Sequence, residues 1–148
     1  MLDAKGQAIM FVIMVIVGMA CNPMNMLAYR FSDLYISLTL FYGGLLMASN
    51  MIWAHEIVHY LSMGHFDVYT FMIGILISFY IVKFLLRKQL MVSDDQWLRR
   101  MISHHSTALT TSNIIREKTQ NPKLKKLATE IIDTQEREIT LMKSMLDK

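Results

Sequence analysis

The stretch of sequence that decides the C-terminal fold is Ser93–Leu146, SDDQWLRRMISHHSTALTTSNIIREKTQNPKLKKLATEIIDTQEREITLMKSML. It opens with a capping-box pattern, and apolar residues then recur at helical spacing on both sides of a short break. In that break, Asn121 and Pro122 are typical of a helix N-cap and a first helical position. Because so short a turn makes neighbouring helices antiparallel, we expect a helical hairpin.

The sequence that precedes this hairpin is apolar enough to be a membrane region. The 148 residues are 53% hydrophobic, with a mean hydropathy of +0.33. Three segments reach the length of about 20 residues that a helix needs to cross a bilayer, at residues 8–29, 34–53 and 66–86. We therefore expect an all-α integral membrane protein, with a transmembrane region over residues 1–90 and the hairpin over residues 91–148.

The basic residues near the ends of the spans predict the orientation of this multi-pass protein. With three spans, Lys5 falls on one side of the membrane. The other side receives five basic residues, namely Arg30, Arg87, Lys88, Arg99 and Arg100. The positive-inside rule then places the C-terminal hairpin in the cytoplasm.

Residues 101–146 resemble the bacterial domain of unknown function 305 family (DUF305). That family has a methionine, a paired histidine three residues later, an alanine, a turn with proline, and then L-A-x-x-I-I-x-x-Q-x-x-E-I-x-x-M. The chain matches this pattern at Met101, His104, His105, Ala108, Pro122, Leu127, Ala128, Ile131, Ile132, Gln135, Glu138, Ile139 and Met142. The resemblance covers about a third of the chain densely.

The resemblance implies a ferritin-like helical fold. Some exported family members bind copper through histidine and methionine, and other members carry membrane helices before the hairpin. This chain departs from the pattern at Leu109-Thr110-Thr111, where the family has a methionine, and this difference weakens a copper site. Soluble members often have two hairpins, so we expect a second copy of this chain to complete a bundle as a homo-oligomer.

The paired histidines of the hairpin form the first candidate metal site. Met101 lies three residues before His104 and four before His105, so the thioether shares a helix face with either ring. Met142 comes from the far end of the second helix, which an antiparallel turn brings alongside. Thioether and imidazole form a soft ligand set that suits Cu(I), so copper is the expected metal.

The stretch HEIVHYLSMGH, His55–His65, contains the H-E-x-x-H pattern of zinc peptidases, in which Glu56 would activate water. It lies at the end of a predicted membrane helix, and Ser62 occupies the position where the longer form of the motif has glycine. No strand pattern is present to hold an extended substrate. A membrane zinc metalloprotease is therefore the least favoured function, and we expect no enzyme.

The same region contains a second candidate metal site with a different spacing. Met47, Met51, His55, His59 and Met63 follow one another at intervals of four residues, and this places them in one column along a helix. Ionisable residues at membrane depth are commonly functional or paired.

Both histidine groups also have a structural interpretation. In the hairpin, His104 and His105 could hydrogen-bond Gln135 and Glu138 and hold the two helices in register. In the column, the methionines could fill helix contacts while His55 and His59 lie at the interface.

Two functions therefore remain, with the bilayer and further copies of the chain as the expected partners. The first is copper binding or homeostasis through histidine and methionine, with no other cofactor. The alternative is a structural membrane protein whose hairpin mediates oligomeric assembly. We expect no nucleic-acid binding, since the basic residues Lys123, Lys125 and Lys126 have no aromatic residues interleaved.

Overall fold

The computed structural model describes residues 4–147, and the described chain is all-α with no strand, as predicted. Its elements are α1 (Ala4–Ala20), α2 (Pro23–Met26), a 3-10 turn (Phe31–Asp33), α3 (Leu38–Met63), α4 (Val68–Tyr80), a π-helical continuation of α4 (Ile81–Leu86), α5 (Asp94–Lys118) and α6 (Pro122–Leu146). The helices form two compact units, which are described in turn.

The first unit contains the chain through Ala20 together with Leu38–Met91, and the second contains Cys21–Ser37 together with the chain from Val92 onward. We expected one division, between residues 90 and 91. The chain instead leaves the first unit at residue 21 and returns to it at residue 38. We refer to residues 21–37 as the connecting segment.

In the first unit, α3 packs against both α1 and α4 at points where two backbones approach closely. A Cβ added at Gly44 would lie 2.7 Å from the carbonyl oxygen of Val15, and one added at Gly74 would lie 2.9 Å from the backbone nitrogen of Trp53. The hydroxyls of Ser49 on α3 and Ser78 on α4 are 2.9 Å apart and buried. Small residues and interhelical hydrogen bonds of this kind are typical of helix contacts in membranes.

Two helical segments of the described chain, at residues 5–26 and 68–86, are long and apolar enough to cross a membrane. The expectation of three such segments is therefore wrong for residues 34–53. Residues 34–37 are not helical, and α3 begins only at Leu38. It then continues to Met63 through Asn50, Glu56 and other polar residues that lower its hydropathy.

The second unit contains the predicted hairpin. Its two 25-residue helices pack around an apolar cluster that consists of Leu98, Ile102, Leu109, Ile132, Ile139 and Met142. The predicted turn chemistry is present, because the side chain of Asn121 accepts hydrogen bonds from the amides of Lys123 and Leu124 at the start of α6. Ser93 is the N-cap of α5, but its hydroxyl makes no capping hydrogen bond.

The connecting segment is bonded to one side of this hairpin through Asp33, whose side chain is fully buried. The Ser106 hydroxyl donates to Oδ2 of Asp33 at 2.7 Å, and Nζ of Lys143 lies 2.5 Å from Oδ1. The Ser103 hydroxyl donates to the Asp33 carbonyl at 2.9 Å. Both helices of the hairpin therefore hold the connecting segment through one aspartate.

Candidate functional site

A cavity of about 380 Å³ in the first unit is the candidate site. Residues of α1 and α3 make most of its wall, with Thr70 of α4. Its polar and sulfur-bearing side chains include three thioethers, one imidazole and one carboxylate, from Met10, Met14, Met51, His55 and Glu56. The two α1 methionines and the pair Met51–His55 on α3 each have a four-residue spacing. This spacing turns both members of a pair to one helix face.

The charged part of the cavity wall is Glu56, whose side chain is only 2% exposed. Its Oε2 accepts a hydrogen bond of 3.2 Å from the amide of Asp67. Its Oε1 lies 3.8 Å from Nδ1 of His55, whose side chain is 49% exposed. The site therefore combines soft neutral ligands and a partly accessible imidazole with a buried carboxylate, a set that can bind and charge-balance a soft cation.

The three histidines of the HEIVHYLSMGH stretch are neighbours but do not converge on one point. The rings of His55 and His59 stack with centroids 6.1 Å apart, and His59 meets His65 edge-on at 5.6 Å. Nδ1 of His59 lies 3.1 Å from the carbonyl oxygen of His65. Within residues 4–147, no group of three or more His, Cys, Asp or Glu side chains is placed to hold a metal ion.

The loop between α3 and α4 is fixed by the carboxylate of Asp67, which caps α4. Asp67 accepts hydrogen bonds from the Thr70 hydroxyl at 2.8 Å and from the Tyr69 amide at 2.9 Å. The bonds from Thr70 hold the pKa of Asp67 below its ordinary value. Because the Asp67 amide in turn donates to Glu56, this cap also positions the carboxylate of the cavity.

The structure divides the predicted methionine–histidine column between different surroundings. Met51 and His55 line the cavity, but Met47 does not. Met47 packs where α1 meets α3, so that a Cβ added at Gly18 would lie 3.0 Å from its sulfur. His59 lies nearer the loop, against His65.

The four predicted ligands of the hairpin have different surroundings. Met142 belongs to the apolar cluster of the hairpin and Met101 packs against that cluster, while His104 is exposed. Nδ1 of His105 lies 3.0 Å from Oε2 of Glu138, although this nitrogen makes no hydrogen bond of good geometry. Burial lowers the pKa of His105 below its ordinary value, and the Glu138 carboxylate acts in the opposite direction.

Sequence reasoning missed Met10 and Met14 as site residues. Both lie in an uninterrupted apolar run, where a methionine is indistinguishable from ordinary filler between helices. The available signal was their four-residue spacing, which matches that of Met51 and His55. The sequence does not show that these two helix faces meet.

Two comparisons with known proteins identify relatives of the chain. Residues 87–148 match the family described as domain of unknown function (DUF305). An uncharacterized protein of Acanthamoeba polyphaga mimivirus is 35% identical over 128 residues, which cover 86% of this chain and 82% of the viral protein. No solved structure matches the chain.

Proposed function

This chain belongs to the same family as the mimivirus protein and carries a DUF305 domain at residues 87–148, and we propose that it is a membrane protein that binds Cu(I) in the cavity of the first unit. The observation that carries this proposal is that three thioethers and an imidazole, from α1 and α3, line one cavity together with a buried carboxylate. Met10, Met14, Met51 and His55 would hold the ion.

The ligand chemistry favours Cu(I) over the commoner divalent ions. Thioethers are soft ligands that select Cu(I), whereas Zn(II) sites in proteins use thiolate, imidazole and carboxylate. Copper handling also agrees with what the family resemblance implies. A single buried carboxylate, Glu56, would balance the single positive charge of Cu(I), because an isolated ion in a low-dielectric site is otherwise costly.

The hairpin offers a weaker site for the same ion. Its partly buried imidazole, His105, lies 3.0 Å from the Glu138 carboxylate, and its neighbour His104 is exposed. A Cu(I) ion at Met101 and Met142 would require Met142 to leave the apolar cluster and Met101 to give up its contact with that cluster. The structural interpretation, in which His105 holds the two helices in register, accounts for these contacts without a metal.

The membrane part of the proposal rests on the two apolar segments and on the bonds of the connecting segment. Residues 21–37 are hydrogen-bonded to the hairpin within one unit, so both lie on the same side of any bilayer. Arg87 and Lys88 follow the second apolar segment and Arg30 lies in the connecting segment, so the positive-inside rule favours the cytoplasmic side for the ferritin-like hairpin.

The test is a Cu(I) competition titration of the purified full-length protein in detergent, under anaerobic reducing conditions. We expect one ion per chain and a loss of at least tenfold in affinity for the Met14→Leu/Met51→Leu variant. Met47→Leu is the matched control, since it alters the same helix one turn away but lies outside the cavity wall. No stoichiometric copper, or equal losses in both variants, would overturn the proposal.

A further inference from the structure

Helix α6 carries two parallel stripes of residues, of which only one is covered by α5. The covered stripe follows a 4-3-4-3-4 spacing through Ala128, Ile132, Gln135, Ile139, Met142 and Leu146. The second stripe lies one position earlier at every step and consists of Leu127, Ile131, Thr134, Glu138, Leu141 and Met145. Leu127 is 51% exposed and Leu141 is 55% exposed. This spacing is that of a helix seam which packs against another helix.

Helix α5 repeats this arrangement. Its inward stripe, at the same spacing, contains Leu98, Ile102, His105 and Leu109. One position earlier at every step lie Trp97, Met101, His104, Ala108, Thr111 and Ile115. Trp97, the largest of these side chains, is 50% exposed. In both helices, therefore, the outer stripe lies one residue before the inner stripe, which is a rotation of about 100° about the helix axis.

The two outer stripes lie on one face of the hairpin. The connecting segment bonds to Ser103, Ser106 and Lys143, which lie on the opposite side of the inner stripes. Since one segment covers that side of both helices, the outer stripes of both helices face the other way. We call the twelve outer-stripe residues the free face.

We propose that the free face binds the free face of a second copy of this chain, which makes a four-helix bundle from two hairpins. Two identical faces can meet only if their charges do not repel, and among the twelve positions only Glu138 and His104 are titratable. A partner with a strongly charged surface would have few oppositely charged residues on the free face to pair with. The same apolar, 4-3-spaced pattern on a second copy is a direct complement.

The size of the free face is sufficient for a stable dimer. Two 25-residue helices are each about 37 Å long and about 10 Å wide, so together they present roughly 700 Å². A standard protein interface covers about 800 Å² on each partner. Its large exposed residues, including Trp97, Leu127 and Leu141, are of the apolar and aromatic types that dominate interface cores.

Cysteine cross-linking of the full-length protein in membranes tests which face is used. The native Cys21 is first replaced by serine, because it is exposed and is the single cysteine of the chain. Thr134→Cys and the double variant Leu127→Cys/Leu141→Cys should cross-link to dimers. The controls, Asp133→Cys and Lys126→Cys/Thr140→Cys, lie off the free face on the same helix and should stay monomeric.

A second measurement follows the mass of the detergent-solubilised protein by sedimentation equilibrium. We expect a dimer for the wild type, a monomer for Leu141→Glu and a dimer for its neighbour Thr140→Glu. Leu141 and Thr140 are both exposed, so these two substitutions leave the fold of the hairpin intact. A monomeric wild type, or cross-linking of the controls as efficient as that of the free-face variants, would overturn the proposal.

Discussion

Nζ of Lys143, near the end of the chain, lies 2.5 Å from Oδ1 of Asp33, 110 residues earlier. This ion pair joins the connecting segment to the last turns of α6, and Asp33 is completely buried. Removing one member of a buried ion pair leaves an uncompensated charge, which is strongly unfavourable. The pair therefore makes the connecting segment a structural part of the hairpin.

We predict that Lys143→Met destabilises the second unit by about 3 kcal/mol, because Asp33 would lose its cation. Hydrogen–deuterium exchange of the α6 amides measures this free energy locally. Lys126→Met is the control, since that lysine is exposed and its pair with Glu130 is 3.8 Å long. The control should change stability by less than about 0.5 kcal/mol, and an equal loss in both variants would contradict the role given to Asp33.

Two adjacent glycines of α3 should respond in opposite ways to alanine. At Gly44 the new Cβ would lie 2.7 Å from the Val15 carbonyl oxygen. Because that atom belongs to the backbone, the clash can be relieved only if α1 and α3 move apart. We expect Gly44→Ala to destabilise the first unit by about 2 kcal/mol. At Gly43 a Cβ meets nothing within 4 Å, so Gly43→Ala should stabilise the helix by up to about 1 kcal/mol. Thermal unfolding in detergent checks both, and a similar effect at the two positions would refute the close contact.

His105 should make the hairpin less stable in acid. Its pKa in the folded protein is lowered, mainly by burial, so the folded state binds fewer protons than the unfolded state near pH 6. The hairpin therefore loses stability as the pH falls below about 6.5, the pKa of histidine in the unfolded state. His105→Gln should flatten the fall in melting temperature between pH 7.5 and pH 5.

The matched control for this experiment is His104→Gln, because the neighbouring ring is exposed. The control should keep most of the wild-type pH dependence, because burial lowers the pKa of His105 more than the neighbouring His104 does. If both substitutions flatten the profile equally, or if neither does, the buried environment of His105 is not the cause.

Glu56→Gln should weaken Cu(I) binding while leaving all four proposed ligands in place. The negative charge a few ångströms from the ion contributes on the order of 1–4 kcal/mol, so we expect a loss of about tenfold or more. The same variant tests the peptidase alternative, in which Glu56 would activate water. Zinc-dependent proteolysis by the wild type that disappears in Glu56→Gln would contradict the function proposed here.

Local chemistry predicted the helices well. The hairpin turn followed from Asn121-Pro122, and its core followed from the spacing of residues such as Ile132 and Ile139. What local chemistry cannot show is which distant faces meet. Asp33 gave no sign in the sequence that it would be buried, because its partner Lys143 lies 110 residues away.

The same limit explains the candidate site. The four-residue spacing of Met51 and His55 placed them correctly on one face of α3, and both line the cavity. Met47 has the same spacing but lies against Gly18, since α1 approaches α3 closely at that glycine. Whether methionines of α1 line the cavity depends on which faces of α1 and α3 pack together. The residue spacing within a single helix does not predict this packing.

X-ray absorption spectroscopy of the Cu(I)-loaded full-length protein tests the central claim most directly, because it reports the atoms bound to the metal. We predict that the metal is bound mainly by sulfur with one imidazole, and that the sulfur scattering is reduced in Met14→Leu/Met51→Leu, where only Met10 remains, but not in Met47→Leu. A shell of nitrogen and oxygen only, or a sulfur signal that both variants retain, would contradict binding at the methionine-lined cavity.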